Sequence, residues 1–116
     1  LSLAPSRVYG HLLLAEIAER NKNWEEAKYW VERALEYEPY FLKGLYHKVW
    51  LLLKLGDIEG AKAEYKDLLK RYEYCQQELK TRPGVFSSYQ IYLMSINKAE
   101  LDRLKGLIEA EAGAKE

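Results

Sequence analysis

Apolar side chains recur along this chain at steps of three and four, separated by charged residues, the spacing that gathers them on one face of an α-helix. Trp24, Ala27, Val31 and Ala34 form one such stripe, and Ile58, Ala61, Tyr65, Leu68, Tyr72, Cys75 and Leu79 form a longer one. The longer stripe covers about six helical turns, and Pro83-Gly84 predicts where it must stop. Phe86, Tyr89, Leu93 and Ile96 make a third stripe, and Leu101, Leu104 and Ile108 a fourth, with Asn97 between them. These two are expected to form a final hairpin, fraying beyond Ala112.

Start signals accompany the stripes. Asn23 with Glu26, and Asn97 with Glu100, have the spacing of a capping box, in which a polar side chain accepts an orphan amide and a carboxylate reaches back. Ser6 and Asp57 are expected as simpler caps. Lys, Glu, Leu, Tyr and Ala dominate the composition and leave few β-branched residues for strands. The chain is therefore expected to be all-α.

Displacing the sequence by 34 residues superposes Pro5 on Pro39, Gly10 on Gly44, Glu25 on Glu59, Ala27 on Ala61, Lys28 on Lys62 and Tyr40 on Tyr74. Leu1, Leu35 and Leu69 form a series at the same interval. Ala27 and Ala61 each follow a turn by a few residues, where two antiparallel helices cross closely and a bulky side chain would push them apart. Leu1, Leu3 and Pro5 copy the spacing of Leu35, Tyr37 and Pro39. They read as the end of a preceding unit in a longer protein.

On these residues the chain resembles the tetratricopeptide repeat family, whose unit is a pair of helices of about 34 residues. In the first unit the matching positions are Leu14, Ala15 and Ala18, then Trp24, Ala27, Val31 and Ala34, closed by Pro39. In the second they are Val49 and Leu52, the turn Gly56-Asp57, then Ile58, Ala61, Tyr65 and Leu68. The pattern departs where His11 and Leu45 replace an early aromatic, Lys48 replaces Leu, and Glu73 replaces the second closing Pro. The resemblance implies stacked antiparallel helix pairs in a right-handed solenoid: residues 1–5 closing an upstream unit, 6–39 unit one, 40–74 unit two, and 75–116 a helix extension with a capping hairpin. A capping hairpin would cover the apolar face of the last unit.

Composition narrows the function classes. The 18 basic and 18 acidic residues balance, so no summed positive field draws the chain to nucleic acid. The longest apolar runs, 12–15 and 49–53, fall far short of the ~20 residues that cross a bilayer. His11 and His47 lack partners at metal-ligand spacing, the glycines form no phosphate cradle, and Cys75 is the single cysteine. No enzyme, metal or cofactor is expected.

The family geometry lines the concave face with the first helix of each unit. It places Tyr9, Leu12, Leu13, Glu16 and Arg20 there from unit one, and Lys43, Tyr46, His47, Trp50 and Lys54 from unit two. Cations among aromatics suit an extended polypeptide carrying a carboxylate and an apolar anchor. The expected function is protein or peptide binding, with self-association through the uncovered flank of the first unit. The Lys/Asn carboxylate clamp of chaperone-binding members is absent, because Leu12 and Glu16 stand where it needs donors. The segment from Tyr92 to Leu101 also resembles the tails of bacterial membrane enzymes of the O-antigen ligase and polymerase type, which makes a repeat tail of such an enzyme the alternative reading.

Overall fold

The computed structural model describes residues 3–114. They form six α-helices and no strand: α1 (Leu3–Arg20), α2 (Trp24–Tyr37), α3 (Leu42–Lys54), α4 (Ile58–Thr81), α5 (Ser88–Leu93) and α6 (Lys98–Ala114). Helix α1 pairs with α2, α2 packs on α3, α3 pairs with α4, and α6 lies across both α3 and α4.

Equivalent chemistry makes the first and third turns. At the end of α1, Lys22 takes the left-handed conformation at φ 58°, its N–H bonds Glu19 O at 3.0 Å and that of Asn23 bonds Ala18 O at 2.8 Å. Gly56 does the same at φ 82°, with bonds to Leu53 O at 3.1 Å and from Asp57 to Leu52 O at 2.9 Å. These bonds satisfy carbonyls left over at the helix end. The next residue in each case caps the following helix, Asn23 accepting from Glu26 N at 3.4 Å and Asp57 from Gly60 N at 2.9 Å. The Glu26 carboxylate accepts from the Asn23 side-chain amide at 3.1 Å, so this pair closes side chain to side chain.

Several boundaries differ from the sequence expectation. Helix α1 already begins at Leu3, so Ser6 lies inside it and is not its cap. Pro5 is tolerated there because the first turn needs no N–H from it. Leu3 and Pro5 thus belong to α1, and Leu1 lies outside the described residues. Helix α4 runs to Thr81, stopping before Pro83. The stripe from Phe86 to Ile96 yields only the six residues of α5: Ser87 and Gln90 form a capping box that starts the helix after Phe86, and it ends before Ile96. Asn97 caps α6, accepting from Ala99 N at 2.9 Å. That helix continues through Ala114, past the expected fraying point.

Three apolar clusters hold these elements. One joins Leu45, Val49 and Leu52 of α3 to Ala61, Leu68 and Cys75 of α4 and to Leu101, Leu104 and Ile108 of α6. A second joins Ala15 and Ala18 of α1 to Ala27 and Val31 of α2 and Leu51 of α3. The third seats Leu93 of α5 against Val8, Ala34 and Phe41. Ala15, Ala27 and Ala61 have no exposed surface, which is how the helix pairs approach closely. Gly44 serves a similar end: a Cβ there would stand 2.9 Å from Phe41 Cδ2 and 3.2 Å from Leu35 Cδ2.

A left-handed non-glycine residue costs roughly 1–2 kcal/mol, part of which glycine returns through its greater freedom when unfolded. Lys22→Gly is expected to raise stability by about 0.5–1 kcal/mol, seen as a higher urea midpoint at unchanged slope. An unchanged or lower midpoint would mean that the Lys22 turn carries no such strain.

Candidate functional site

The side chains assigned from sequence to one concave face fall into three groups. Tyr9, on α1, is 48% exposed and stacks against α5, its ring 5.3 Å from that of Tyr92 and 6.3 Å from that of Tyr89. Glu16 is partly buried and Arg20 exposed at the end of α1. Burial, the neighbouring Tyr9 phenol and the Glu16 charge together raise the Tyr92 hydroxyl above the usual tyrosine range. Glu16 and Tyr92 thus share one electrostatic environment.

The second group surrounds the start of α3. Lys43 rims a recess of about 390 Å³ with Ile91 and Tyr92 of α5, the connecting residues Ser95, Ile96 and Asn97, and Glu100 of α6. Ser95 donates its hydroxyl to Ile91 O at 2.6 Å, leaving its oxygen as an acceptor. Asn97 uses its side-chain oxygen on α6, leaving its NH2 as a donor. Tyr46 is buried and faces α6, accepting from Arg103 at 3.4 Å. His47 bonds Glu19 of α1 through Nδ1 at 2.8 Å, tying α3 to α1.

The third group stands at the end of α3. Trp50 is partly buried and meets Trp24 edge to face, with centroids 5.4 Å apart at 88°. The Lys54 ammonium lies 5.7 Å from the Trp24 ring and 5.3 Å from that of Trp50, a cation held over two aromatic faces. Trp50 and Lys54 therefore stay side by side at the end of α3. Tyr46 is committed to α6, whereas Trp50 packs against the first two clusters.

Sequence reasoning missed Glu19, Tyr92, Glu100 and Arg103. Glu19 carried no signal beyond its place near the end of a helix, and the other three come from the segment outside the repeat. Lys48, at the position where the repeat pattern has Leu, lies between helices and pairs with Glu32 of α2 at 3.6 Å and Glu64 of α4 at 3.1 Å.

Among the described residues, no group of three His, Cys, Asp or Glu side chains is placed to hold a metal ion. No helix among them is long and apolar enough to cross a membrane. Cys75 has no exposed surface, and burial pushes its thiol up to about 11. It stays protonated near neutral pH and is a poor nucleophile.

His11 lies between Trp30 and Tyr37, with ring centroids at 5.4 and 5.8 Å. Its Nδ1 and the neighbouring Trp30 Nε1 are buried without a hydrogen-bond partner among the described residues. Burial, then the charges of Arg33 and Arg7, hold its pKa below the usual histidine value. The unfolded chain therefore takes up this proton first as pH falls, so stability is lost below about pH 6.5. His11→Phe is expected to reduce the drop in melting temperature between pH 7.5 and pH 5 relative to the parent chain. An identical drop in both would contradict this placement of His11.

The chain matches no protein-family model, no curated protein and no solved structure in the comparisons made with each.

Proposed function

We propose that this chain is a tetratricopeptide-like module that binds an extended polypeptide in the recess between Lys43 at the start of α3 and the α5–α6 connection. In this reading α1 with α2 and α3 with α4 are successive units of a right-handed stack, and α6 takes the place that the first helix of a third unit would occupy. Support comes from the two left-handed turns at Lys22 and Gly56, which share their hydrogen bonds at the 34-residue interval. The buried pair Ala27 and Ala61 keeps the same interval.

The recess carries the binding proposal because it combines five kinds of contact in about 390 Å³. Lys43 offers a positive charge and Glu100 a negative one. Asn97 and Ser95 offer a donor and an acceptor for peptide backbone, while Ile91, Tyr92 and Ile96 provide an apolar wall. Binding sites for flexible ligands are typically apolar recesses with a few placed polar groups. A segment carrying a carboxylate beside an apolar or aromatic side chain satisfies the set, its carboxylate on Lys43 and its side chain against Ile91 and Tyr92.

The test is selection from a random peptide library on the purified chain, followed by calorimetry with the selected peptides. The expected peptides share an acidic residue next to an apolar one. Lys43→Glu should weaken them by roughly tenfold or more, about 1.4 kcal/mol, and should shift selection towards basic peptides. Failure to select any common pattern, or unchanged affinity in the Lys43→Glu variant, would overturn the proposal.

A further inference from the structure

Helix α5 also borders a second recess, of about 220 Å³, lined by residues that the peptide-binding reading leaves unused. Its walls are Tyr40, Tyr74 and Phe86, with Leu93 and Met94 from the end of α5, and its polar groups are the carboxylates of Glu38 and Glu78 and the amide of Gln90. Tyr40 and Tyr74 occupy the same place in successive 34-residue intervals, and here their rings meet with centroids 5.3 Å apart. Both remain substantially exposed, at 43% and 52%.

The aromatic walls already accept cations from the chain itself. The Arg71 guanidinium lies 5.3 Å from the Tyr40 ring centroid, and that of Arg82 lies 5.9 Å from that of Phe86. Arg82 also pairs with Glu78 at 3.0 Å and Arg71 with Asp67 at 3.0 Å, so these cations are balanced locally. Glu38 differs, because its side-chain contact among the described residues is the Tyr89 hydroxyl at 3.3 Å. One carboxylate without a cation therefore faces a small chamber walled by aromatic rings. The volume lies below the ~300–1,000 Å³ of pockets for drug-sized ligands, which restricts the occupant to a headgroup or a side-chain end.

We propose that the recess between α4 and α5 binds an organic ammonium group, seated on Tyr40, Tyr74 and Phe86 with its charge against Glu38. Ring faces attract quaternary and alkylated ammonium ions because their quadrupoles present negative charge, and the attraction grows when the ion is desolvated. The same chemistry is offered by a small free amine or by the methylated lysine of a polypeptide. This site is independent of the Lys43 recess, so failure of peptide selection there leaves it standing.

The experiment is a titration of the full chain by amide NMR with choline, with its uncharged isostere 3,3-dimethylbutan-1-ol, and with a short peptide carrying trimethyllysine. Choline is expected to shift the amides of Tyr74, Glu78 and Met94 saturably, while the isostere binds roughly tenfold more weakly or worse because it lacks the charge. Glu38→Gln keeps an acceptor for Tyr89 and Tyr74→Leu alters an exposed side chain, so both should melt near the parent temperature while losing about fivefold or more in choline affinity. Tighter binding of the peptide than of choline assigns the site to a polypeptide, and the reverse assigns it to a free amine. The proposal is overturned if neither cation gives saturable shifts at this recess, if the isostere binds as well as choline, or if both variants keep the parent affinity.

Discussion

Helix α3 must be covered on three sides at once, and the rest of the structure is arranged by that requirement. Of its 13 residues, Leu42, Gly44, Leu45, Tyr46, Val49, Leu51 and Leu52 are buried, too many for one neighbour to cover. Leu51 enters the cluster with α1 and α2, while Leu45, Val49 and Leu52 enter the cluster with α4 and α6. Phe41, which precedes α3, anchors the cluster that holds α5. Removing any of these neighbours would expose several large apolar side chains, each costing about 1.5–3 kcal/mol if left in water.

What α3 can show to a partner follows from that burial. Only a narrow part of its surface escapes, and its polar residues are drawn to the borders, Lys43 to α5, His47 to Glu19 and Lys54 to the Trp24 and Trp50 rings. Two recesses border α5, one rimmed by Lys43 and the other lined by Tyr40 and Tyr74. Ser95, Ile96 and Asn97, which line the Lys43 recess, lie between α5 and α6 rather than on a helix.

Much of the helical architecture was legible from local chemistry. The stripes through Ala27 and Ala61 located α2 and α4, and Pro83-Gly84 located the end of the long helix, because each depends on spacing within one element. Ser6 misled because the chain before it is itself helical, which a cap residue alone does not disclose. The directions of Tyr46 and Trp50 were not legible for a different reason. A period of three and four says which residues share a face but not which helix covers that face, and α6 comes from a segment outside the repeat. The same holds for Glu19 and Arg103, whose partners lie 28 and 57 residues away. Tyr40 and Tyr74 stood out as a repeat pair, yet their meeting required the turn after α2 to lie beside α4.

The central place of α3 can be read directly from native-state hydrogen exchange. If α3 is the shared core, amides 45–52 should be among the slowest in the chain, exchanging only with global unfolding together with those of Leu68 and Leu104, while α5 exchanges sooner through local opening. Fast exchange in α3 while α4 or α6 stays protected would contradict the account, because those helices would then be stable without the element they are held to cover.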